Sequence, residues 1–195
     1  MKIIFATANK GKLREAAEIL GEGYEIVSPA EFGITEDIPE TGDTLKENSI
    51  QKAVYIHERL GCDCFADDTG LEVEALNGAP GVHSARYATD GHDFSANIVK
   101  LLRELEGVPE EKRRARFHNV VTLIIDGEMQ FFEGCMEGRI ALQRSGTQGF
   151  GYDPVFIPDG FGGKTVADLG EEVKNAISHR GKSLRLMAEW LRTRK

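Results

Sequence analysis

The spacing of apolar side chains changes several times along the chain, and each change predicts a new element. Residues 2–7 form an apolar run that favours a strand. Apolar residues then recur every three or four positions over 13–20, which predicts a helix, and residues 24–27 alternate as a second short strand. The chain therefore opens with a strand, a helix and another strand.

A second helix and strand follow with clearer boundary signals. Thr44 and Glu47 have the spacing of a capping box, which predicts the start of a helix that ends near Gly61. The next strand is expected at residues 62–68, where the turn residues 69–70 end it.

The remaining patterns complete an α/β fold. Residues 75–93 are long and turn-rich, which is typical of a functional loop, and an amphipathic helix is expected over 94–105. The Asp-Gly pair at 126–127 predicts a hairpin between strands at 115–125 and 129–139.

A glycine-rich loop and a strand share residues 146–158, and the chain from 168 is mostly helical. Its apolar stripe consists of Leu184, Met187, Trp190 and Leu191. Because helix crossovers and a hairpin coexist, the sheet is predicted to be mixed.

Composition is that of one globular domain, predicted to span residues 1–195. Hydrophobic residues make up 41% and charged residues 29% of the 195. The sequence contains no apolar run of about 18 residues or more, so no membrane partner is expected. Its first residues fit a strand better than a signal peptide.

Charge and cysteine content narrow the function classes. The net charge of −8 argues against a nucleic-acid polymer as partner, although bound metal and local donors would still allow a small anionic ligand. Cys62, Cys64 and Cys135 do not form a disulfide framework or a zinc motif, so they are interpreted as thiols of a cytoplasmic protein.

Asp67 and Asp68 are expected at the end of a buried strand, where carboxylates require a reason because they lose hydration. One of them is explained by a turn with Gly70. Two together favour a ligand site, since Mg²⁺ takes one or two carboxylates plus water and phosphate oxygens.

The segment from Thr7 to Lys12 joins the first strand to the first helix. Taken alone, it is a helix start with solvated lysines. The alternative is phosphate binding by free backbone N–H groups, the helix dipole, a hydroxyl and two lysines. The spacing of a Walker loop is missing.

Three further stretches carry candidate residues. Glu47 is explained by the capping box, whereas Glu40 has no such role and is a candidate metal ligand. Lys52, taken alone, is expected to be solvated. Phe150 to Asp153 is either a turn into a strand or a close approach to a ligand.

The last cluster consists of Lys174, His179 and Arg180. In isolation, His179 and Arg180 are interpreted as surface residues at a helix junction.

Six stretches, in this order, resemble the inosine triphosphate pyrophosphatase family, which includes the dITP/XTP pyrophosphatases. They are TANKGK, ETGDTLKENSIQKA, ADDTGLEV, GAPGVHSARYA, GFGYDP and ISHRGK. They run from residue 7 to residue 182, nearly the whole chain. Each is modest alone, but the ordered set is highly specific.

The resemblance implies an elongated two-lobed α/β fold around a long mixed β-sheet with flanking helices and a nucleotide cleft between the lobes. It also implies a homodimer. The implied activity is Mg²⁺-dependent hydrolysis of noncanonical purine nucleoside triphosphates (ITP, dITP and XTP) to the monophosphate and pyrophosphate.

Carried over residue by residue, the resemblance implies three sets of site residues. Phosphate and other substrate contacts are expected from Thr7, Ala8, Asn9, Lys10, Gly11, Lys12, Lys52 and Thr69. Residues expected around the nucleotide and its base are Phe150, Gly151, Tyr152, Asp153, Lys174, His179 and Arg180. Glu40 and Asp68 would bind the metal, and Asp68 would also accept a proton, with Asp67 in support.

Two departures from the family pattern are small, because Thr69 and Ser49 keep the size or hydroxyl of the usual Ser and Ala. A carboxylate on Mg²⁺ is a weak base, so the sequence leaves open whether Asp68 or the metal activates the water.

Two rival functions remain. One is a nucleotide pyrophosphatase with another base preference. The other is a nucleotide-sensing module without turnover, against which Glu40 and Asp68 argue, since phosphate binding alone favours removing negative charge.

Overall fold

The computed structural model describes residues 1–147 and 149–194, except for the side chain of Glu171. The strands in this part of the chain are β1 Lys2–Phe5, β2 Glu25–Val27, β3 Cys64–Val73, β4 Pro80–Gly81, β5 Arg114–Ile125, β6 Glu128–Ile140 and β7 Phe156–Pro158. The α-helices are α1 Lys10–Leu20, α2 Leu45–Leu60, α3 Phe94–Glu104, α4 Val166–Leu169, α5 Glu171–Ile177 and α6 His179–Thr193.

The sheet is mixed, as predicted. Its strand order is β2-β1-β3-β5-β6-β7, and β4 pairs with β3 outside this path. β1 runs parallel to β2 and β3, whereas β4 and β7 are antiparallel to their partners. The α/β class with a mixed sheet is therefore confirmed.

Local signals set the boundaries that were predicted best. Thr44 Oγ1 accepts from the Glu47 backbone N–H at 3.1 Å, and Glu47 Oε2 accepts from the Thr44 N–H at 2.9 Å. Gly61 then ends α2 with a φ of 60°. Asp126 and Gly127 both have positive φ, at 50° and 78°, as a two-residue hairpin loop between β5 and β6 requires.

The predicted end of β3 is wrong. The strand continues through Asp67, Asp68 and residues 69–70, so the aspartates lie inside it rather than at its end. The side chains of Leu71 and Val73 are fully buried. Burial of these apolar side chains keeps the backbone extended where Thr-Gly taken alone favours a turn.

The aspartates nevertheless lie beyond the last residue of a neighbouring strand. Phe5 is the final residue of β1 and pairs with Phe65 of β3, and the Ala6 N–H still donates to the Phe65 oxygen at 2.8 Å. Past this point the chain leaves the sheet for α1. Asp67 therefore lies beside the start of α1, where Lys12 Nζ contacts its carboxylate, rather than beside a continued β1.

The chain divides into two compact units. The first consists of Met1–Asp68, Asn119–Gly134 and Arg180–Lys195, and the second of Thr69–His118 and Cys135–His179. Each has its own apolar core. Phe5, Phe65, Leu123 and Leu184 are among the buried side chains of the first unit, and Leu71, Leu101, Val155 and Phe156 among those of the second.

The predicted apolar stripe of α6 is part of the first core, with Leu184, Met187 and Leu191 buried and Trp190 partly buried. Across residues 1–147 and 149–194, no helix is long and apolar enough to cross a membrane.

Candidate active site

The start of α1 is capped by the side chain of the residue before it. Asn9 Oδ1 accepts from the backbone N–H groups of Gly11 and Lys12 at 2.9 and 3.1 Å, and the Asn9 N–H donates to Thr7 Oγ1 at 3.2 Å. The expectation that these N–H groups are free for a phosphate is therefore wrong for Gly11 and Lys12. The side chains of this segment remain the predicted phosphate contacts.

Asp67 is the centre of a buried polar cluster. Its side chain is 1% exposed. Oδ1 accepts from Lys12 Nζ at 2.8 Å, and Oδ2 accepts from Arg180 Nε at 2.9 Å and Asn119 Nδ2 at 3.0 Å. These three donors occupy both carboxylate oxygens, which satisfies a group that is costly to bury alone.

The charges of this cluster balance. Arg180 Nη1 lies 3.2 Å from Glu15 Oε2, so two cations, Lys12 and Arg180, face two carboxylates, Asp67 and Glu15. Burial opposes ionisation of Asp67, but Lys12 and Arg180 outweigh it and hold the pKa of this carboxyl well below its usual range. Asp67 is therefore an ionised partner of two cations.

Asp68 lies in a different set of contacts. Lys52, on α2, is 6% exposed, so the expectation that it is solvated is wrong. Its Nζ bonds Glu40 Oε1 and lies 3.5 Å from Asp68 Oδ1. Asp68 Oδ2 accepts from Asn48 Nδ2 at 3.1 Å. Two carboxylates thus meet at one ammonium group.

The surroundings shift the pKa values of both Lys52 and Asp68. Burial disfavours the charged form of Lys52, but the carboxylates of Asp68 and Glu40 outweigh it and raise the pKa of Lys52. Burial raises the pKa of Asp68, an effect that Lys52 opposes and the Glu40 charge reinforces. The pKa values of the adjacent aspartates are therefore shifted in opposite directions. Asp67 contacts two cations, whereas Asp68 shares the single cation Lys52 with the carboxylate of Glu40.

The donor set of Glu40 and Asp68 fits Mg²⁺. Because both carboxylates reach one ammonium group, both are able to approach one cation, and carboxylate oxygens are the protein ligands that Mg²⁺ prefers. Residues 1–147 and 149–194 contain no cluster of three or more His, Cys, Asp or Glu side chains placed to hold a metal. Any Mg²⁺ at Glu40 and Asp68 would therefore need further ligands from water or phosphate.

In the second unit, Asp153 organises the glycine-rich loop. Its side chain is 7% exposed, and Oδ2 accepts from the Phe150 backbone N–H at 2.9 Å and from Lys174 Nζ at 2.5 Å. Gly149 has a φ of 82°, and a Cβ there would lie 2.2 Å from Asp153 Oδ2. The turn therefore requires glycine at this position.

Two aromatic rings in this unit have different surroundings. The Phe150 ring is exposed, and Lys174 Nζ lies 4.3 Å from its centroid. Tyr152 is buried, and its hydroxyl donates to the Ser84 backbone oxygen at 2.8 Å. The Tyr152 side chain is therefore part of the core, whereas the Phe150 ring is exposed to solvent.

His179 stacks on Phe117, with ring centroids 4.9 Å apart and an angle of 15° between the planes. Arg180, the next residue, is 7% exposed, which differs from the interpretation of a surface residue. Its Nε and Nη1 atoms already bond carboxylates, so a contact with the base would use Nη2 or the second hydrogen of Nη1. The predicted role of Arg180 at the base stays a prediction.

The predicted site residues divide between the two units. The first holds the metal candidates and the α1 segment, and the second holds Thr69, His179, Lys174 and the loop at 150–153. Sequence reasoning missed Asn48 and Asn119. A polar residue within the apolar run of β5 was the available signal for Asn119, and a position one turn before Lys52 on α2 was the signal for Asn48.

Comparison with known proteins decides the family. A sequence model of the Ham1 family matches residues 3–190. The chain belongs to the Ham1 family. A dITP/XTP pyrophosphatase of Porphyromonas gingivalis is 53% identical over 190 residues, which cover 97% of each chain. One of Flavobacterium johnsoniae is 47% identical over 191 residues, which cover 98% of each. The family inferred from the six stretches is confirmed.

Solved Ham1 structures confirm the fold. The Staphylococcus aureus Ham1 protein matches with a TM-score of 0.93 and 38% identity, and the match covers 100% of both chains. A HAM1 protein from Coxiella burnetii gives the same TM-score and identity over 99% of each chain.

Proposed function

We propose that this protein hydrolyses noncanonical purine nucleoside triphosphates (ITP, dITP and XTP) to the nucleoside monophosphate and pyrophosphate. The observation that carries the proposal is the meeting of Glu40 and Asp68 at the buried ammonium of Lys52. A second lysine, the partly buried Lys12, forms an ion pair with the neighbouring Asp67. The Ham1 relatives named dITP/XTP pyrophosphatases supply the substrate class.

The reaction needs positive charge and accurate placement more than covalent chemistry. Water attacks a phosphorus atom surrounded by charged oxygens, so the enzyme must neutralise the developing negative charge. In this proposal Lys12 and Lys52 bind the phosphates, with Thr69 and the Thr7–Lys12 segment. Both ammonium groups are already oriented by carboxylates, which limits the rearrangement needed when phosphate arrives.

Asp68 is the proposed proton acceptor, and with Glu40 it would hold Mg²⁺. When bound, Mg²⁺ would supply charge neutralisation on the phosphates and lower the pKa of nearby water. Asp67 is not proposed as a ligand, because Lys12, Arg180 and Asn119 occupy both of its oxygens.

Base recognition is proposed for the residues at 150–153 with Lys174, His179 and Arg180. Hypoxanthine and xanthine carry an acceptor oxygen at position 6, where adenine carries a donor amino group. Histidine with a ring N–H and arginine can donate to this oxygen, and arginine can only donate. Donors left facing a donor cost a few kcal/mol, or about 10²-fold or more in selectivity, which would disfavour ATP.

We further propose a homodimer in the cytoplasm. The dimer is testable by light scattering of the purified protein, which should give twice the mass of the chain. A mass equal to one chain would contradict the dimer and leave the proposed reaction unaffected.

The proposed function is tested by initial rates of pyrophosphate release from a panel of triphosphates. ITP, dITP and XTP should exceed ATP, GTP, CTP and UTP in kcat/KM in the presence of Mg²⁺. A pyrimidine at the head of the ranking would support the rival base preference. Nucleotide binding with no pyrophosphate release would support the sensing module instead.

A further inference from the structure

Asn119 is a buried polar residue of β5 whose side chain contacts both aspartates of β3. It is fully shielded from solvent. Its Nδ2 donates to Asp67 Oδ2 at 3.0 Å and to the Asp68 backbone oxygen at 3.2 Å. One carboxamide group therefore bonds the side chain of one aspartate and the main chain of the next.

The chemistry of the partners fixes the orientation of this carboxamide. An ionised carboxylate and a backbone oxygen can only accept, so both require the NH₂ end of Asn119. Its Oδ1 accepts from Ser183 Oγ of α6, and that hydroxyl lies 2.9 Å from the Arg180 backbone oxygen. Ser183 is also fully buried. A flipped carboxamide would place its oxygen against two other oxygens.

These bonds connect Asn119 to groups that the proposed function uses. A shift of the Asp67 carboxylate would carry Lys12 Nζ with it, because the two atoms are joined at 2.8 Å. A shift of the Asp68 main chain would move the carboxylate that meets Lys52. Both movements are restrained by the same Nδ2 atom.

We propose that Asn119 is a positioning residue that holds the Lys12 ammonium and the Asp68 carboxylate in place together, through Asp67 and the Asp68 main chain. This inference rests on the proposed function, because it assigns those two groups to phosphate and metal. Asn119 itself contacts no reacting atom in this scheme. It acts by limiting where the two groups can go.

The test replaces Asn119 with leucine, which keeps a similar volume and removes both donated hydrogen bonds. We expect kcat on ITP to fall and the Kd for Mn²⁺, measured by electron paramagnetic resonance with Mn²⁺ alone, to rise, each by about 10–100-fold. The Mn²⁺ constant is a property of each folded molecule, so partial unfolding changes the number of sites and not their affinity.

Thr122→Val is the matched control. Thr122 is a fully buried residue of the same strand whose hydroxyl lies 2.6 Å from Ser49 Oγ, and valine removes this bond with little change of shape. Its kcat and Mn²⁺ Kd should stay within about twofold of the wild-type values, whatever its loss of stability. Asn119→Leu values that match this control would overturn the inference.

Ser183→Ala keeps the test decisive if Asn119→Leu does not fold. It removes the hydroxyl that donates to Asn119 Oδ1 and also lies 2.9 Å from the Arg180 backbone oxygen, and it leaves both bonds donated by Asn119 in place. We therefore expect changes in the same direction and smaller than those of Asn119→Leu, and no change would count against the inference. If the wild type releases no pyrophosphate but binds Mn²⁺, the proposed function fails and the Mn²⁺ comparison still decides the role of Asn119. If the wild type neither releases pyrophosphate nor binds Mn²⁺, the proposed function and the inference about Asn119 are both contradicted.

Discussion

Asp67→Asn tests the charge balance of the buried cluster. The change keeps the size of the side chain and removes the negative charge that faces Lys12 and Arg180 at 2.8 and 2.9 Å. Lys12 then loses the carboxylate that contacts it, whereas Arg180 keeps its ion pair with Glu15. The variant should fold less stably because a buried charge loses its partner.

The size of the expected loss of stability follows from the burial of Asp67. Breaking a buried ion pair by removing one partner costs about 3–5 kcal/mol, and a chain of this length loses about 2–4 °C in Tm per kcal/mol, so we expect a drop of about 6–20 °C. Thermal unfolding followed by circular dichroism at pH 7 measures it.

Asp159→Asn is the control for this prediction. Asp159 also binds an arginine at two points, with Arg114 Nη1 at 2.8 Å and Nη2 at 3.0 Å. The two side chains are 49% and 40% exposed, so the pair is worth about 0–1 kcal/mol. Equal shifts of Tm in the two variants would refute the reasoning from burial.

The pH dependence gives a second check on Asp67. Its pKa is lowered in the folded protein, so its contribution to stability is complete above the ordinary value of about 3.9 and is lost as the pH falls below it. The difference in Tm between wild type and Asp67→Asn should therefore be constant from pH 7 to about pH 5 and shrink below about pH 4. A difference in Tm that grows in acid would contradict the assignment of Asp67 as an ionised partner of two cations.

Three further predictions follow from the site and the core. Asp68→Asn should lower turnover of ITP by about 10²-fold or more with folding intact, since it removes the proposed proton acceptor and a metal ligand; a tenth of wild-type activity or more would contradict this role. Arg180→Ala should narrow the ratio of kcat/KM for ITP over ATP, and an equal loss on both would restrict Arg180 to the ion cluster. Burial raises the pKa of Cys64 to about 12, so iodoacetamide at pH 8 should leave this thiol unmodified in native protein and label it after denaturation, and labelling at equal rates would refute it.

Signals carried by neighbouring residues were read correctly from the sequence. The capping box at Thr44 and Glu47 and the hairpin at residues 126–127 each depend on a few adjacent positions, so a single sequence contains the whole signal. The apolar stripe of α6 was found for the same reason.

Features that depend on residues far apart in the sequence were not predicted correctly. Thr69-Gly70 favours a turn locally, but the burial of Leu71 and Val73 keeps β3 extended. Lys52 looks solvated on its helix until Glu40 and Asp68 are brought to it by the fold. Each outcome depends on contacts between residues well separated in sequence.

The measurement that tests the central claim most directly is hydrolysis of ITP in ¹⁸O-labelled water, followed by ³¹P NMR of the products. If water attacks the α phosphorus and pyrophosphate leaves, one labelled oxygen appears in inosine monophosphate and none in pyrophosphate. Label in pyrophosphate would place the attack at the β phosphorus. Inosine diphosphate and orthophosphate as the first products would contradict the proposed reaction altogether.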